Sequence, residues 1–212
     1  MIRIKKFTFN PFQENSYLLI NDEDECIIID PGCFDANEEK QLSHYLESEG
    51  LTPRHLINTH FHIDHVLGNH FVAEKYNLSV TAYDSEIDMS AMADRSAELY
   101  GIPYKPSPKP SIFLKEGDTI DFGGSKLDIL FVPGHSPDHI VIVCEAEDFM
   151  IGGDVLFKGS IGRTDLPGGN HEDLINNITN KIFPLKESIK VYSGHGPETT
   201  IGVEKTTNPF FT

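Results

Sequence analysis

The chain is short of positive charge, of cysteine and of long apolar runs, and each shortage excludes something. Seventeen Lys and Arg stand against 33 Asp and Glu, leaving a net charge of −16. A nuclease or RNA-processing enzyme must attract phosphates over a Debye length or more, so this balance argues against a nucleic-acid partner and for solubility. Cys26, Cys33 and Cys144 are odd in number, widely separated and without a C-x-x-C. They suit a reducing cytoplasm and buried free thiols rather than a disulfide framework. No apolar run approaches membrane-spanning length. The N-terminal Met1-Ile2-Arg3-Ile4-Lys5-Lys6-Phe7 alternates like a strand and lacks the layout of a leader. Linker-like stretches and short repeats are missing as well, so a cytoplasmic protein with no membrane partner is expected.

What the chain does contain fits one domain over residues 1–212. Alternating or β-branched runs predict strands at 2–9, 16–20 and 26–29, the last two joined by the polar turn 21–24 and all three antiparallel. Asp30-Pro31-Gly32 stops the third strand. Helices are expected over 35–50, capped by Asp35 or Asn37, over 66–76 and over 84–99, where Met89 and Met92 are core contacts. Strands at 54–58 and 78–82 alternate with them, and 101–110 is a proline-rich loop. The second half repeats the pattern with strands at 119–122, 126–132, 140–144 and 149–151. A long loop over 152–170 follows, then a helix over 172–183, a strand at 190–192 and a closing helix at 202–206. Two strand-rich halves, each followed by helices, predict an α+β chain: an αββα sandwich of two mixed sheets with helices outside, and ligands at the edge where strand ends meet.

Function concentrates in Thr59-His60-Phe61-His62-Ile63-Asp64-His65, three imidazoles and a carboxylate in the pattern H-x-H-x-D-H. It follows the apolar Leu56-Ile57, which places it on a loop at a strand end, where a rigid strand lets side chains converge on a metal. Three more residues share a strand-then-glycine setting: His135 after Val132-Pro133-Gly134, Asp154 after Ile151-Gly152-Gly153, and His195 in Ser193-Gly194-His195-Gly196. His44, His55, His70 and His171 read as structural or solvated. His139, four residues beyond His135, and Asp30, at its strand end, are candidates for the hydrogen bonds that orient metal-bound imidazoles.

These residues resemble the metallo-β-lactamase superfamily, over a span from the first strands to about residue 205. The resemblance implies two divalent metal ions, zinc first and iron or manganese as the other candidates. His60, His62 and His135 would hold one ion and Asp64, His65 and His195 the other, with Asp154 shared by both. In β-lactamases of this superfamily the position of Asp154 is usually not Asp. Asp154 together with Gly162-Arg163-Thr164-Asp165-Leu166-Pro167-Gly168-Gly169 makes the chain most similar to the glyoxalase II-like hydrolases of the short single-domain type. The larger members carry a C-terminal helical domain that contributes to glutathione binding, and none is expected in this sequence.

The implied activity is hydrolysis of a small-molecule hydroxyacyl thioester such as S-D-lactoylglutathione. Asp64 and Asp154 would serve the catalytic centre, and the ions would supply a shared hydroxide as the nucleophile. Arg163 is the candidate grip for a substrate carboxylate, with an ion pair to Asp165 as its structural alternative. The rival readings are a mononuclear iron persulfide dioxygenase on the same scaffold, a hydrolase of lactones or other esters, and a binding module with a relic site.

Overall fold

The computed structural model describes residues 1–212, and its chain packs into two units, residues 1–113 and 114–212. In the first, β1 (Arg3–Phe9), β2 (Glu14–Ile20) and β3 (Glu25–Ile29) form the expected antiparallel meander, with Phe9 opposite Glu14 and Tyr17 opposite Ile29. β4 (Thr52–Ile57) then joins β3 in parallel through α1 (Ala36–Ser48). Asp35 caps α1 by accepting the backbone N–H groups of Asn37 and Glu38. β5 (Val80–Tyr83) lies parallel to β4, and β6 (Ile112–Leu114), which the sequence did not reveal, completes the order β1-β2-β3-β4-β5-β6. Phe7, Phe9, Leu18, Ile20, Cys26, Ile28 and Leu56 supply one sheet face. They cluster with Leu42 and Leu46 of α1 and with Met89, Ala93 and Ala97 of α4 (Met89–Tyr100).

Two helix expectations need correction. The run 66–76 is divided into α2 (Ile63–Val66) and α3 (Asn69–Tyr76) at Gly68, whose N–H donates to Pro31 O at 2.7 Å. A Cβ there would stand 2.3 Å from Cys33 Sγ, so close backbone approach, not helix periodicity, decides this position. α4 starts at Met89 rather than at 84, because Ser85 Oγ accepts the Ile87 N–H in a local turn and Asp88 caps the helix through the Ala91 N–H. The three cysteines are free and buried. Burial pushes the Cys26 thiol up to about 12 and raises Cys33 and Cys144 as well, which leaves them inert at neutral pH.

The second unit holds β7 (Thr119–Phe122), β8 (Ser125–Phe131), β9 (Ile140–Cys144), β10 (Phe149–Gly153), β13 (Lys190–Ser193) and β14 (Thr199–Thr200), in the order β14-β13-β10-β9-β8-β7. Only β10 and β13 pair in parallel, so this sheet is mixed too and the chain is α+β. Leu174, Ile178 and Ile182 cover Val141, Val143, Met150 and Val191 from α5 (His171–Asn177) and its π-helical continuation Ile178–Ile182. The expected loop 152–170 contains a two-strand hairpin, β11 (Leu156–Phe157) with β12 (Ser160–Ile161), too short to leave a periodic signal. α6 (Ile201–Thr207) closes the chain. No helix is long and apolar enough to cross a membrane.

Candidate metal centre

Strand direction decides what meets in the first unit. Because β2 runs against β1 and β3 while β4 runs with β3, the ends of β1, β3 and β4 and the start of β2 share one edge. That edge gathers Asn10, Glu14, Asp30 and the segment 58–65. Asp30 is buried, with φ +48. Its Oδ1 accepts the Thr59 N–H at 2.7 Å and Asn58 Nδ2 at 3.5 Å, and its Oδ2 accepts the Thr59 hydroxyl at 2.6 Å and His65 Nδ1–H at 3.0 Å. Ligand atoms of Asp30, His60 and His65 lie within 4.8 Å of one another. With four donors on two oxygens, however, Asp30 has no lone pair to spare for an ion, and it braces the loop instead.

The brace also fixes tautomers. A carboxylate only accepts, so His65 carries its proton on Nδ1 and turns a basic Nε2 away from Asp30. Thr59 spends its hydroxyl proton on Asp30, so its oxygen accepts His60 Nδ1–H at 3.0 Å and His60 likewise presents Nε2. The His60 ring centroid lies 4.7 Å from that of His62 and 4.2 Å from that of His65, and Asp64 Oδ2 stands 3.9 Å from His65 Nε2. His60 and His65 are buried, whereas His62 and Asp64 are half-buried. Behind them lies Glu14, wholly buried, whose carboxyl is raised well above the usual range chiefly by desolvation. Its Oε1 is 3.9 Å from His65 Nδ1.

The second unit repeats the device. β8, β10 and β13 point the same way, so His135, Asp154 and His195 leave the sheet at one edge. His135 Nδ1–H donates to the Arg163 carbonyl at 2.7 Å, which again assigns Nε2 as the basic nitrogen. His135 Nε2 and His195 Nε2 each stand 3.5 Å from the same oxygen of Asp154. That spacing is too long for a good hydrogen bond. It matches the roughly 3.4 Å between two ligand atoms held about 2.0–2.2 Å from a tetrahedral ion. Imidazole and carboxylate are also the donor types that suit zinc or iron, so the residues fit a divalent metal. The sequence spacing predicts that His139 steadies His135. Its Nε2 instead accepts the Asp154 backbone N–H at 3.0 Å, so the support reaches the carboxylate-bearing residue.

Arg163 gives a mixed outcome. Its guanidinium makes a bidentate pair with Asp165, at 2.7 Å for each bond, and both side chains are well exposed. The pair lowers the Asp165 carboxyl to about 2. What reaches the imidazole of His135 is the backbone carbonyl. Of the histidines set aside on sequence grounds, His44 and His171 are exposed and His55 is half-buried, while His70 contacts Glu74 at 3.4 Å. Sequence reasoning missed Thr59, Asn58, Asn10 and Glu14. The only available signal was that polar residues flank the ligand motif and the matching strand ends.

One glycine makes this geometry testable. A Cβ on Gly162 would fall 1.9 Å from the Asp154 carbonyl oxygen and 3.0 Å from His135 Nδ1. Gly162→Ala must therefore displace both residues, and the variant is expected to lose 10- to 100-fold in metal affinity, the usual scale for damage just behind a ligand. Chelator competition on purified protein would measure it, and unchanged affinity would contradict the geometry.

Comparison with known proteins gives consistent results. The family model described as metallo-beta-lactamase superfamily matches residues 9–195. The chain is 41% identical to the probable metallo-hydrolase YqgX of Bacillus subtilis (strain 168), covering 97% of this chain and 96% of that one. It is 37% identical to the hydroxyacylglutathione hydrolase GloC of Haemophilus influenzae, covering 94% and 93%. Among solved structures, the B3 metallo-beta-lactamase BLEG-1 superposes with a TM-score of 0.90 at 36% identity, over 99% of this chain and 100% of that one. TTHA1623, crystallised in a di-iron-bound form, gives 0.87 at 34% identity, over 97% and 99%.

Proposed function

Since the chain belongs to the metallo-beta-lactamase superfamily, we propose that it is a dinuclear metallohydrolase that cleaves hydroxyacyl thioesters, S-D-lactoylglutathione or a close relative. In this reading His60, His62 and His135 hold one ion, Asp64, His65 and His195 hold the other, and Asp154 serves both. Zinc is the first choice of metal, with iron favoured next by the di-iron form of TTHA1623. The observation that carries the proposal is Asp154, whose one oxygen stands 3.5 Å from two imidazole nitrogens. The hydroxyacylglutathione hydrolase named among the relatives supports the thioester class.

When bound, the ions would supply a nucleophile at neutral pH and polarise the acyl carbonyl. The chain's own work is orientation. Thr59, Asp30 and the Arg163 carbonyl hold three imidazoles with the proton on Nδ1, so no rotation or tautomer change is needed before Nε2 can bind. Asp154 and Asp64 bring negative charge to the two positions. A thioester expels a thiolate whose conjugate acid has a pKa of about 8.5, so its departure needs little protonation. An amide nitrogen needs a proton at departure, which makes the thioester the easier substrate for this site. β-Lactam hydrolysis is nevertheless the second reading, because BLEG-1 is described as a B3 metallo-beta-lactamase.

A panel of S-D-lactoylglutathione, short acyl thioesters, lactones and β-lactams on metal-replete protein tests this, with oxygen uptake on glutathione persulfide measured alongside. Thioester turnover well above the others is expected. Oxygen consumption without hydrolysis would replace the proposal by the dioxygenase reading. Arg163→Ala adds a finer test. It should leave metal content unchanged, since the carbonyl that holds His135 belongs to the backbone. It should raise KM about tenfold with kcat nearly constant if the guanidinium exchanges Asp165 for a substrate carboxylate.

A further inference from the structure

The turn after β1 reaches the ligand segment through the side chain of Asn10. Asn10 is buried and sits at φ +53, a conformation that Asn tolerates better than most residues. Every polar group it owns is engaged. Its Nδ2 donates to the carbonyls of Gly32 and Asp64, each at 3.0 Å, and its Oδ1 accepts the Phe12 N–H at 3.0 Å. Its own N–H donates to both carboxylate oxygens of Glu38, at 2.9 and 3.1 Å, which anchors the turn to α1. Glu38 also accepts the Phe34 N–H at 2.7 Å.

The contact continues under the segment. Gly32 N–H donates to Ser16 Oγ, and the Ser16 hydroxyl donates to Glu14 Oε2, both at 2.9 Å. A Cβ on Gly32 would meet Glu14 Oε2 at 2.1 Å, the Asp64 carbonyl at 2.6 Å and Asn10 Nδ2 at 2.7 Å, so the glycine leaves no slack between these groups. Asn10, Gly32, Ser16 and Glu14 form a polar plug that reaches the Asp64 carbonyl and, at 3.9 Å from Glu14 Oε1, the Nδ1 side of His65. Both residues belong to the same proposed ion position. His60 takes its support from Thr59 instead.

We propose that Asn10 is a positioning residue for the Asp64–His65 ion position alone, setting the depth and direction of Asp64 through its carbonyl. This rests on the two-ion reading above. The test is zinc titration of metal-free protein against a chromophoric chelator, which resolves binding steps without reference to activity. Asn10→Asp keeps the shape but turns an oxygen toward two carbonyl oxygens, and Asn10→Gly removes the side chain while suiting the positive φ.

In the wild type two steps are expected. In either variant one step should weaken at least tenfold while the other stays within about twofold. The Asn10→Asp loss should be largely absent on an Asp64→Asn background and fully additive on a His62→Ala background. Equal weakening of both steps, no weakening, or additivity with Asp64→Asn would overturn the proposal. Should Asn10→Asp fail to fold, Asn10→Gly carries the same comparison. A wild type with a single step would remove the two-ion reading itself, an outcome distinct from a two-step wild type with unresponsive variants.

Discussion

Asp154→Ala is expected to empty both ion positions together and to reduce kcat/KM for thioester hydrolysis by at least 1000-fold, more than any single histidine substitution. The reason is charge. On the proposed two-ion reading, two dications sharing one carboxylate would repel each other by several kcal/mol or more even at an effective dielectric near 20, and Asp154 is the one ligand assigned to both. A lost histidine removes one neutral donor from one position, whereas a lost Asp154 removes a donor from each and the shared negative charge as well. The fold itself should survive, because the bond from this residue to His139 uses the backbone N–H, which alanine keeps. Elemental analysis with a thermal melt of the metal-free protein separates these effects. Retention of two equivalents of metal would contradict the shared role.

Asp30→Asn should have the second-largest effect, although Asp30 itself is assigned to neither ion. The substitution keeps the volume and suits the positive φ of Asp30, but it puts an amide N–H₂ where an oxygen now accepts two donors. Either the Thr59 N–H or the Thr59 hydroxyl and His65 Nδ1–H then faces a donor. Each buried group left unpaired costs about 1–3 kcal/mol, so a loss of roughly 2–5 kcal/mol in unfolding free energy is expected. Metal affinity should fall about 10- to 100-fold at the same time, since His60 and His65 lose the groups that fix their tautomers. Urea unfolding of the metal-free form and chelator competition report the two separately. A variant with weakened metal binding and intact stability would show that Asp30 acts through charge alone.

Part of the fold and of the candidate site is legible in the amino-acid sequence. The H-x-H-x-D-H cluster reads directly because its residues are adjacent in sequence, and His135, Asp154 and His195 read because each follows an apolar strand and a glycine. The meander of β1, β2 and β3 carries the same kind of local signal. What escaped depends on groups that sequence does not type. Arg163 drew notice for its guanidinium, yet its backbone carbonyl is what holds His135, and any residue there offers the same carbonyl. Gly162 matters for an atom it lacks. Asn10, Glu14 and Thr59 act across strand pairings and turns, so their relevance appears only once β1, β2, β3 and β4 are in register. The break at Gly68 was hidden because its cause, the nearness of Pro31 and Cys33, is tertiary.

Titrating metal-free protein with zinc while following S-D-lactoylglutathione hydrolysis and bound metal on the same sample separates a two-ion thioesterase from the other readings. Hydrolysis that rises to a plateau at two equivalents per chain is the expected result. A plateau at one equivalent, or two bound equivalents without thioester hydrolysis, would contradict it.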